Sequence, residues 1–164
     1  MGKVEQKKIQ IIQRIVGYIV ENGLLNEMGI RSLAKAAGTS DRMLIYYFGS
    51  KDELIDQALN VIASGVVDQL DGLLGTHKRP GEQLLAECTA VVSHEGFKPA
   101  VRLWFELVGL SVRQQEPYAS NAKQLAQNWI DWVESRLEES KEGEAADLYA
   151  HLEGRLMLKL IQNR

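Results

Sequence analysis

Residues 38–54 read GTSDRMLIYYFGSKDEL, and this stretch decides how the N-terminal part of the chain folds. It opens with a glycine and two hydroxyl residues and continues through the unbroken apolar and aromatic row of residues 43–48. The row stops at Gly49, and the chain restarts at Ser50 with charged residues. A row this short is too small for a core helix alone, so we expect it to contact something on more than one side.

Two serines in this stretch are placed to begin helices. Ser40 can cap a helix over residues 41–48, because a serine oxygen accepts a hydrogen bond from an unpaired amide of the first turn. Ser50 can cap the next helix, and the S-K-D-E run places Glu53 at the third helical position, as in a capping box. The stretch therefore predicts a short helix, a turn at glycine and the start of another helix.

The residues before this stretch complete a helix-turn-helix spacing. Apolar residues recur at three- and four-residue steps from Val4 to Val20, which predicts a first helix ended by Gly23. Residues 30–37 predict a short second helix that stops at Gly38. In a helix-turn-helix, the helix that follows the turn lies in the major groove of DNA.

A recognition helix explains the continuous apolar row. We expect Leu44 and Phe48 to face the core, while the remaining members of the row face outward: Met43, Ile45, Tyr46 and Tyr47. A plain alternative is that residues 38–54 are only an apolar part of the core, since generic helix-turn-helix patterns have many false positives.

The rest of the chain also predicts helices. An apolar stripe from Leu54 to Leu73 indicates a long fourth helix, and a loop containing Pro80 follows. The further helices are predicted at about residues 82–94, 97–115, 118–139 and 144–162. No stretch alternates for long enough to require a strand, so the predicted fold class is all-α.

Composition limits the function classes. The 164 residues carry a net charge of −3, which argues against charge-driven nucleic-acid binding along a whole surface but does not exclude a local site. No apolar run approaches the roughly 20 residues that cross a bilayer, and the N-terminus has no apolar signal core. The single cysteine, Cys88, cannot form an intrachain disulfide and favours a reducing, cytoplasmic location.

The N-terminal residues closely resemble the DNA-binding signature of the TetR (tetracycline-repressor) family of transcriptional regulators. The resemblance covers about residues 10–60 and rests on the run R-S-L-A-K-A-A-G-T-S at residues 31–40 and on Leu44, Tyr46, Phe48, Gly49, Ser50, Lys51 and Leu54. It implies a three-helix helix-turn-helix domain at residues 1–49. The long fourth helix then joins it to a helical effector-binding and dimerisation domain at residues 50–164.

The resemblance also implies which residues contact DNA: Arg31, Thr39, Ser40, Asp41, Arg42, Met43, Ile45, Tyr46, Tyr47 and Lys51. Arg31 corresponds to a base or phosphate contact and Lys51 to a phosphate contact. Chemistry agrees that an arginine such as Arg42 can bind guanine O6 and N7 and that an isoleucine suits a thymine methyl group. Asp41 either holds the Arg42 guanidinium or only supplies charge at the helix N-terminus. The family usually has Tyr where Ile45 stands and His where Tyr47 stands, so the bases that are read differ from the common pattern.

The family's C-terminal body dimerises, and the last predicted helix is apolar nearly all round. A helix of this kind favours burial on two sides, as in a four-helix bundle formed by two subunits. The predicted interface residues are Trp132, Leu148, Leu152, Leu156 and Leu160. Burial within one chain is the alternative.

A small-molecule site is harder to read from the sequence. The candidate lining residues are Cys88, Trp104, Phe105, Trp129 and Met157, with Glu106 as a further polar group. Large side chains at helical spacing are also typical of a plain core. The scattered histidines predict no metal site, and no motif predicts a cofactor or a catalytic centre.

The leading hypothesis is a homodimeric, ligand-responsive repressor that binds a palindromic DNA operator and is not an enzyme. One alternative is a DNA-binding module with no small-molecule effector. Another is a small all-α carrier or enzyme. This alternative would be favoured if the purified protein bound no DNA at low salt.

Overall fold

The computed structural model describes residues 2–26 and 28–162, and these residues are mostly helical. In chain order the elements are α1 (Lys3–Asn22), α2 (Ile30–Ala37), α3 (Asp41–Phe48), α4 (Lys51–Leu74), α5 (Gly81–Val92), a 3-10 helix (Glu95–Phe97), α6 (Lys98–Val112), α7 (Tyr118–Ser135) and α8 (Glu144–Gln162). Within the described residues, strand-like pairing is limited to one parallel bridge between Arg79 and Leu137. The predicted all-α class is confirmed.

The largest difference from the sequence-based bounds is at the end of α7. The periodicity predicts a helix to about residue 139, whereas α7 ends at Ser135. The Arg79 N–H donates to the carbonyl oxygen of Arg136 at 2.9 Å, and the Glu138 N–H donates to the carbonyl oxygen of Arg79 at 3.2 Å. Because the backbone of residues 136–138 forms hydrogen bonds with the backbone of Arg79, the hydrogen bonds of α7 cannot continue through this segment.

Helices α5 and α6 are each shorter than predicted. His94 has an extended backbone, with φ −69° and ψ 150°, so α5 ends at Val92 and a separate 3-10 turn precedes α6. At the other end of α6, Gln114 adopts a φ of 57°, a conformation that ends the helix before residue 115.

The chain forms two compact units. The first comprises Met1–Ser64 and Glu106–Ala122, and the second comprises Gly65–Phe105 and Lys123–Arg164. The helices α4, α6 and α7 each contribute residues to both. The proposed division into residues 1–49 and 50–164 stays a prediction.

In the first unit, α1 packs on α2 and α2 packs on α3. The side chains buried there are mainly aliphatic and recur at helical spacing, and they include Ile11, Ile15, Ile19, Leu33, Ala34, Ala37, Leu44, Phe48, Leu54, Ile55 and Ala58. The predicted stripe of α1 begins at Val4, but that side chain is 58% exposed. Removing these apolar surfaces from water is the main force that fixes the short helices α2 and α3.

In the second unit, α5 packs on α8. Two polar contacts show that the helices run in the same direction. Arg155 Nη1 donates to Thr89 Oγ1 at 3.5 Å, and Lys159 Nζ donates to Ser93 Oγ at 2.7 Å. The buried cluster of this unit contains Leu70, Leu84, Cys88, Val92, Phe97, Trp132, Val133, Leu137 and Ala145.

Candidate nucleic-acid interface

The turn between α2 and α3 depends on a glycine. Gly38 has φ 64° and ψ 41°, the left-handed conformation that glycine adopts without strain. A Cβ at this position would lie 2.5 Å from NH1 of Arg14. That guanidinium donates to the carbonyl oxygen of Ala37 at 2.9 Å, so α1 fixes the end of α2. The sequence reasoning did not identify Arg14, because its partner lies 23 residues away.

Helix α3 begins at the predicted cap. The Met43 N–H donates to Ser40 Oγ at 3.3 Å, and the Leu44 N–H donates to the Ser40 carbonyl oxygen at 3.0 Å. Asp41 adds an acidic side chain in the first turn, where the helix dipole stabilises negative charge. The predicted Ser40 cap is confirmed.

The predicted division of α3 holds for its core side and for Ile45 and Tyr46, but not fully for Met43 and Tyr47. Leu44 and Phe48 are almost fully buried, whereas Ile45 is 43% exposed and Tyr46 is 68% exposed. Met43 and Tyr47 are half-buried, and the Tyr47 ring meets those of Tyr46 and Phe48 edge-on, with centroids 5.2 Å and 6.5 Å apart. The buried pair anchors the helix, and the exposed side chains can contact a partner.

The start of α4 completes this face. The Glu53 N–H donates to Ser50 Oγ at 3.1 Å, which confirms the predicted serine cap. Lys51 follows the cap, and its Nζ lies 3.7 Å from Oδ1 of Asp52. Its side chain is 42% exposed, so the cation can reach a phosphate near the helix start.

An open groove lies on this face of the first unit. Its lining residues come from the starts of α2, α3 and α4: Gly29, Ile30, Asp41, Arg42, Ile45 and Lys51. Four of these are predicted DNA contacts. The Arg42 side chain is exposed and forms no ion pair within the described part of the chain, so its donors are available to an outside acceptor.

The acidic residue of the groove has a different partner from the one considered in the sequence. Oδ2 of Asp41 lies 3.9 Å from Nε of Arg31, and no ion pair joins it to Arg42 among the described residues. Arg31 is the second residue of α2, and 94% of its side chain is exposed. Since the pairing depends on how α2 and α3 cross, the adjacency of Asp41 and Arg42 in the sequence did not indicate it.

The remaining predicted contacts lie at the turn. Thr39 is half-buried, and its N–H donates to the Ala34 carbonyl oxygen at 3.0 Å, while Ser40 is exposed. All ten predicted DNA contacts therefore belong to α2, α3, the turn between them or the start of α4. Their contact with DNA stays a prediction.

The five candidate ligand residues lie in the second unit, in different surroundings. Cys88 is 3% exposed within the core cluster, and burial raises the pKa of its thiol to about 11. Trp129 packs on the same cluster, Phe105 is half-buried, and Met157 is 45% exposed. The predicted polar group Glu106 accepts a hydrogen bond from the Leu24 N–H at 2.7 Å, within the first unit.

Trp104 has a partner that the sequence reasoning missed. Its Nε1 donates to Oε1 of Glu153 at 2.5 Å. Burial, followed by the hydrogen bond and charge of Glu153, raises the pKa of the Tyr149 phenol well above its ordinary value. Tyr149 and Glu153 are four residues apart on α8, a spacing that places them on one face and was visible in the sequence.

A separate small pocket of about 120 Å³ in the second unit has an apolar floor and a rim with two lysines. It is lined by Val92, Ser93, Lys98, Val101, Leu156, Lys159 and Leu160. None of the five candidate ligand residues is among them, so a ligand site at those five residues stays a prediction.

The predicted interface residues are partly buried within their own chain. Trp132 is 9% exposed, and its Nε1 donates to Oδ1 of Asp71 at 3.0 Å. Leu148, Leu152 and Leu156 pack against the core cluster, and Leu160 is half-buried. The apolar side chains of α8 that remain exposed are Met157, Leu158 and Ile161.

Residues 2–26 and 28–162 present neither a cluster of metal ligands nor a membrane-spanning helix. No group of three or more His, Cys, Asp or Glu side chains there is arranged to hold a metal ion. No helix there is long and apolar enough to cross a membrane.

Comparison with known proteins agrees with this geometry. Residues 21–58 match the family described as bacterial regulatory proteins, tetR family. That segment spans α2, α3, both serine caps and the first turns of α4. No curated protein sequence matches the chain.

Several solved structures share the fold. A candidate transcriptional regulator from Streptomyces coelicolor A3(2) is 21% identical to this chain and superposes with a TM-score of 0.73. The match covers 93% of this chain and 86% of the regulator's chain. A transcriptional regulator from Rhodococcus sp. Rha1 is 18% identical with a TM-score of 0.71, covering 95% and 84%. A candidate TetR-family regulator from Mesorhizobium loti MAFF303099 is 12% identical with a TM-score of 0.58, covering 98% of both chains.

Proposed function

We propose that this chain is a DNA-binding transcriptional regulator of the tetR family and a ligand-responsive repressor, because its helix-turn-helix segment, residues 21–58, matches that family. In this proposal it acts as a homodimer on a palindromic operator. It works in the cytoplasm, where the operator is accessible, and needs no cofactor.

The observation that carries the proposal is the outer face of α3. Its N-terminus is capped by Ser40, its core side is fixed by Leu44 and Phe48, and its outer side presents Ile45 and Tyr46. A rigid helix with one exposed face fits the major groove, which is roughly 12 Å wide.

Each exposed side chain has a distinct task. Arg42 reaches base edges, since its guanidinium is exposed beside the groove and can bind guanine O6 and N7. Ile45 and Met43 offer apolar contact to a thymine methyl group. Tyr46 and Lys51 bind phosphate oxygens, which position the protein without specifying sequence.

Two copies are needed to read both halves of a palindrome, with half-sites about 34 Å or a multiple of that apart. The exposed apolar side chains of α8 support pairing through that helix. Leu160, which is half-buried, lies between Met157 and Ile161 in sequence and can contribute to the same surface.

An effector in the helical body would favour a conformation in which the two recognition helices no longer fit both half-sites, a population shift rather than a local block. A second candidate function is regulation without an effector. Thermal-shift screening against metabolites separates the two, since a body that no compound stabilises supports the second.

The test is a selection of bound sequences from random DNA, followed by titrations of the recovered site. Arg42→Ala should lose roughly 1–3 kcal/mol per half-site at one base position and relax preference there. Lys51→Ala should weaken binding to every sequence alike and reduce the salt slope by about one unit. Lys123→Ala, an exposed lysine on α7, is the matched control and should change neither quantity.

Each outcome is informative. If Arg42→Ala and Lys51→Ala weaken every sequence equally, Arg42 is a backbone contact, and specificity comes from its neighbours or from DNA shape. If neither change matters, the proposed interface is wrong.

A further inference from the structure

An acidic side chain lies among the basic ones on the groove surface of the first unit. Asp41 lines the groove with Arg42 and Lys51, and its side chain is 46% exposed. DNA presents closely spaced phosphates to such a surface, so a carboxylate here opposes charge-driven binding. Because Asp41 weakens the attraction to DNA, we ask which contact of this side chain accounts for an acidic residue here.

Stabilisation of the helix start explains only part of that geometry. Asp41 is in the first turn of α3, where negative charge is favoured, but Ser40 already caps this turn. A dipole role also does not require any contact with α2. Yet the Asp41 carboxylate lies 3.9 Å from Nε of Arg31, the only ion pair that either side chain forms within the described residues.

We infer that Asp41 is a positioning residue that sets DNA specificity by acting through Arg31. The Arg31 side chain is 94% exposed, so without a partner its guanidinium would sample many rotamers and neutralise whichever phosphate came near. The carboxylate of Asp41, which lines the groove, lies 3.9 Å from Nε of Arg31 and attracts the guanidinium towards that side. Binding to a phosphate must then disrupt the pair, whereas a directed base contact can keep it.

The consequence is selective weakening of binding to the wrong sequences. Non-specific DNA relies on phosphate contacts, so it meets the Asp41 charge and an Arg31 guanidinium that Asp41 attracts away from the phosphates. Operator DNA offsets the repulsion between Asp41 and its phosphates through the base contact that Arg31 makes. Asp41 therefore lowers affinity for random DNA more than for the operator, which raises the ratio between the two.

This inference rests on the proposed function, because it requires α2 and α3 to meet DNA. The experiment measures dissociation constants for the selected operator and for a scrambled duplex of the same length. Asp41→Asn should strengthen scrambled binding and lower the specificity ratio about fivefold to tenfold, the scale of one weakened base contact. Asp41→Ser removes the same charge but is favoured at helix starts, and it should give the same result.

Asp52→Asn is the matched control. Asp52 is also exposed, lies at a helix start and approaches a basic side chain, with Oδ1 3.7 Å from Lys51 Nζ. Because Lys51 contacts phosphate in the proposed function, Asp52→Asn should strengthen both duplexes alike and leave the ratio unchanged.

The Arg31→Ala background tests the route of the effect. If Asp41 acts through Arg31, Asp41→Asn should no longer change the ratio there. An undiminished change would overturn the inference and show that Asp41 reads DNA directly, for example at cytosine N4. A wild-type ratio near one overturns the proposed function as well, whereas a high ratio that Asp41→Asn leaves intact overturns this inference alone.

Discussion

The guanidinium of Arg79, which is 2% exposed, forms an ion pair with the carboxylate of Glu87 on α5. The same guanidinium donates from Nη2 to the carbonyl oxygens of Leu74 at 3.0 Å, Gly75 at 3.2 Å and His77 at 3.0 Å. Arg79 thus satisfies the unpaired carbonyl groups at the end of α4 and links them to α5.

Replacing Arg79 should destabilise the second unit more than any surface change. Arg79→Met leaves several carbonyl oxygens without their donor, so we expect a loss of about 3 kcal/mol or more. Arg79→Lys should recover little, because an ammonium cannot span the fork of acceptors. Urea unfolding followed by circular dichroism gives both values, and an Arg79→Met midpoint equal to that of the wild type would contradict this role.

The same ion pair predicts a pH dependence. Hydrogen bonds from Gln83 and Arg79 lower the pKa of the Glu87 carboxyl below its ordinary value of 4.5. A lowered folded-state pKa stabilises the fold above pH 4.5, and this contribution is lost as pH falls through the lowered pKa. Glu87→Gln should therefore lower stability at pH 7 and flatten its decline under acid. Unfolding measured from pH 7 down to pH 3 tests this, with Glu82→Gln as an exposed control on the same helix.

Cys88 should behave as a structural residue. Burial raises the pKa of its thiol from 9.0 to about 11, so the thiolate fraction at pH 8 is about 100-fold lower than in the unfolded chain. An aromatic disulfide reagent should react correspondingly slowly until urea is added. Because the folded-state pKa is raised, stability should fall as pH rises from about 9 towards 11. If Cys88→Ser abolishes DNA regulation, or if an oxidant switches binding, the thiol is a sensor instead.

Two residues of α3 should separate stability from DNA affinity. Leu44 is 1% exposed, and Leu44→Ala should cost about 2–5 kcal/mol of stability through lost packing and a cavity. Tyr46 is 68% exposed, and Tyr46→Ala should change stability by less than about 0.5 kcal/mol while weakening DNA binding. Melting curves and DNA titrations on both variants test the division. Unchanged affinity in Tyr46→Ala would remove it from the interface.

Homodimer formation should depend on the exposed side of α8. Leu158 is 54% exposed, so Leu158→Asp should leave the fold intact but weaken association at least about tenfold by burying a charge between subunits. Leu73→Asp makes the same change at an apolar side chain of α4 that is 65% exposed, and it should have no effect. Sedimentation at micromolar concentration provides the measurement. A stable wild-type monomer would exclude the dimer.

Much of the fold could be predicted because its signals are local. The serines at 40 and 50 carry the oxygen that accepts a first-turn amide, so both helix starts followed from the chain. The 3.6-residue period placed Leu44 and Phe48 inside and Tyr46 outside. The predicted end of α7 was wrong because Arg79, more than 50 residues earlier, forms a lateral backbone hydrogen bond that interrupts the helix there.

The sequence by itself determined helices α1, α2 and α3, the serine caps of α3 and α4, and the side of α3 that presents Ile45 and Tyr46, since these depend on residues within one or two turns. Only the tertiary structure decided that Asp41 meets Arg31 rather than Arg42, and that Arg79 is buried. It also decided that Glu106 binds the Leu24 amide, 82 residues away. These contacts join segments that folding brings together, and many packings share the same local periodicity. The physical reason is that side-chain geometry between distant elements is fixed by the crossing of helices, which no local pattern encodes.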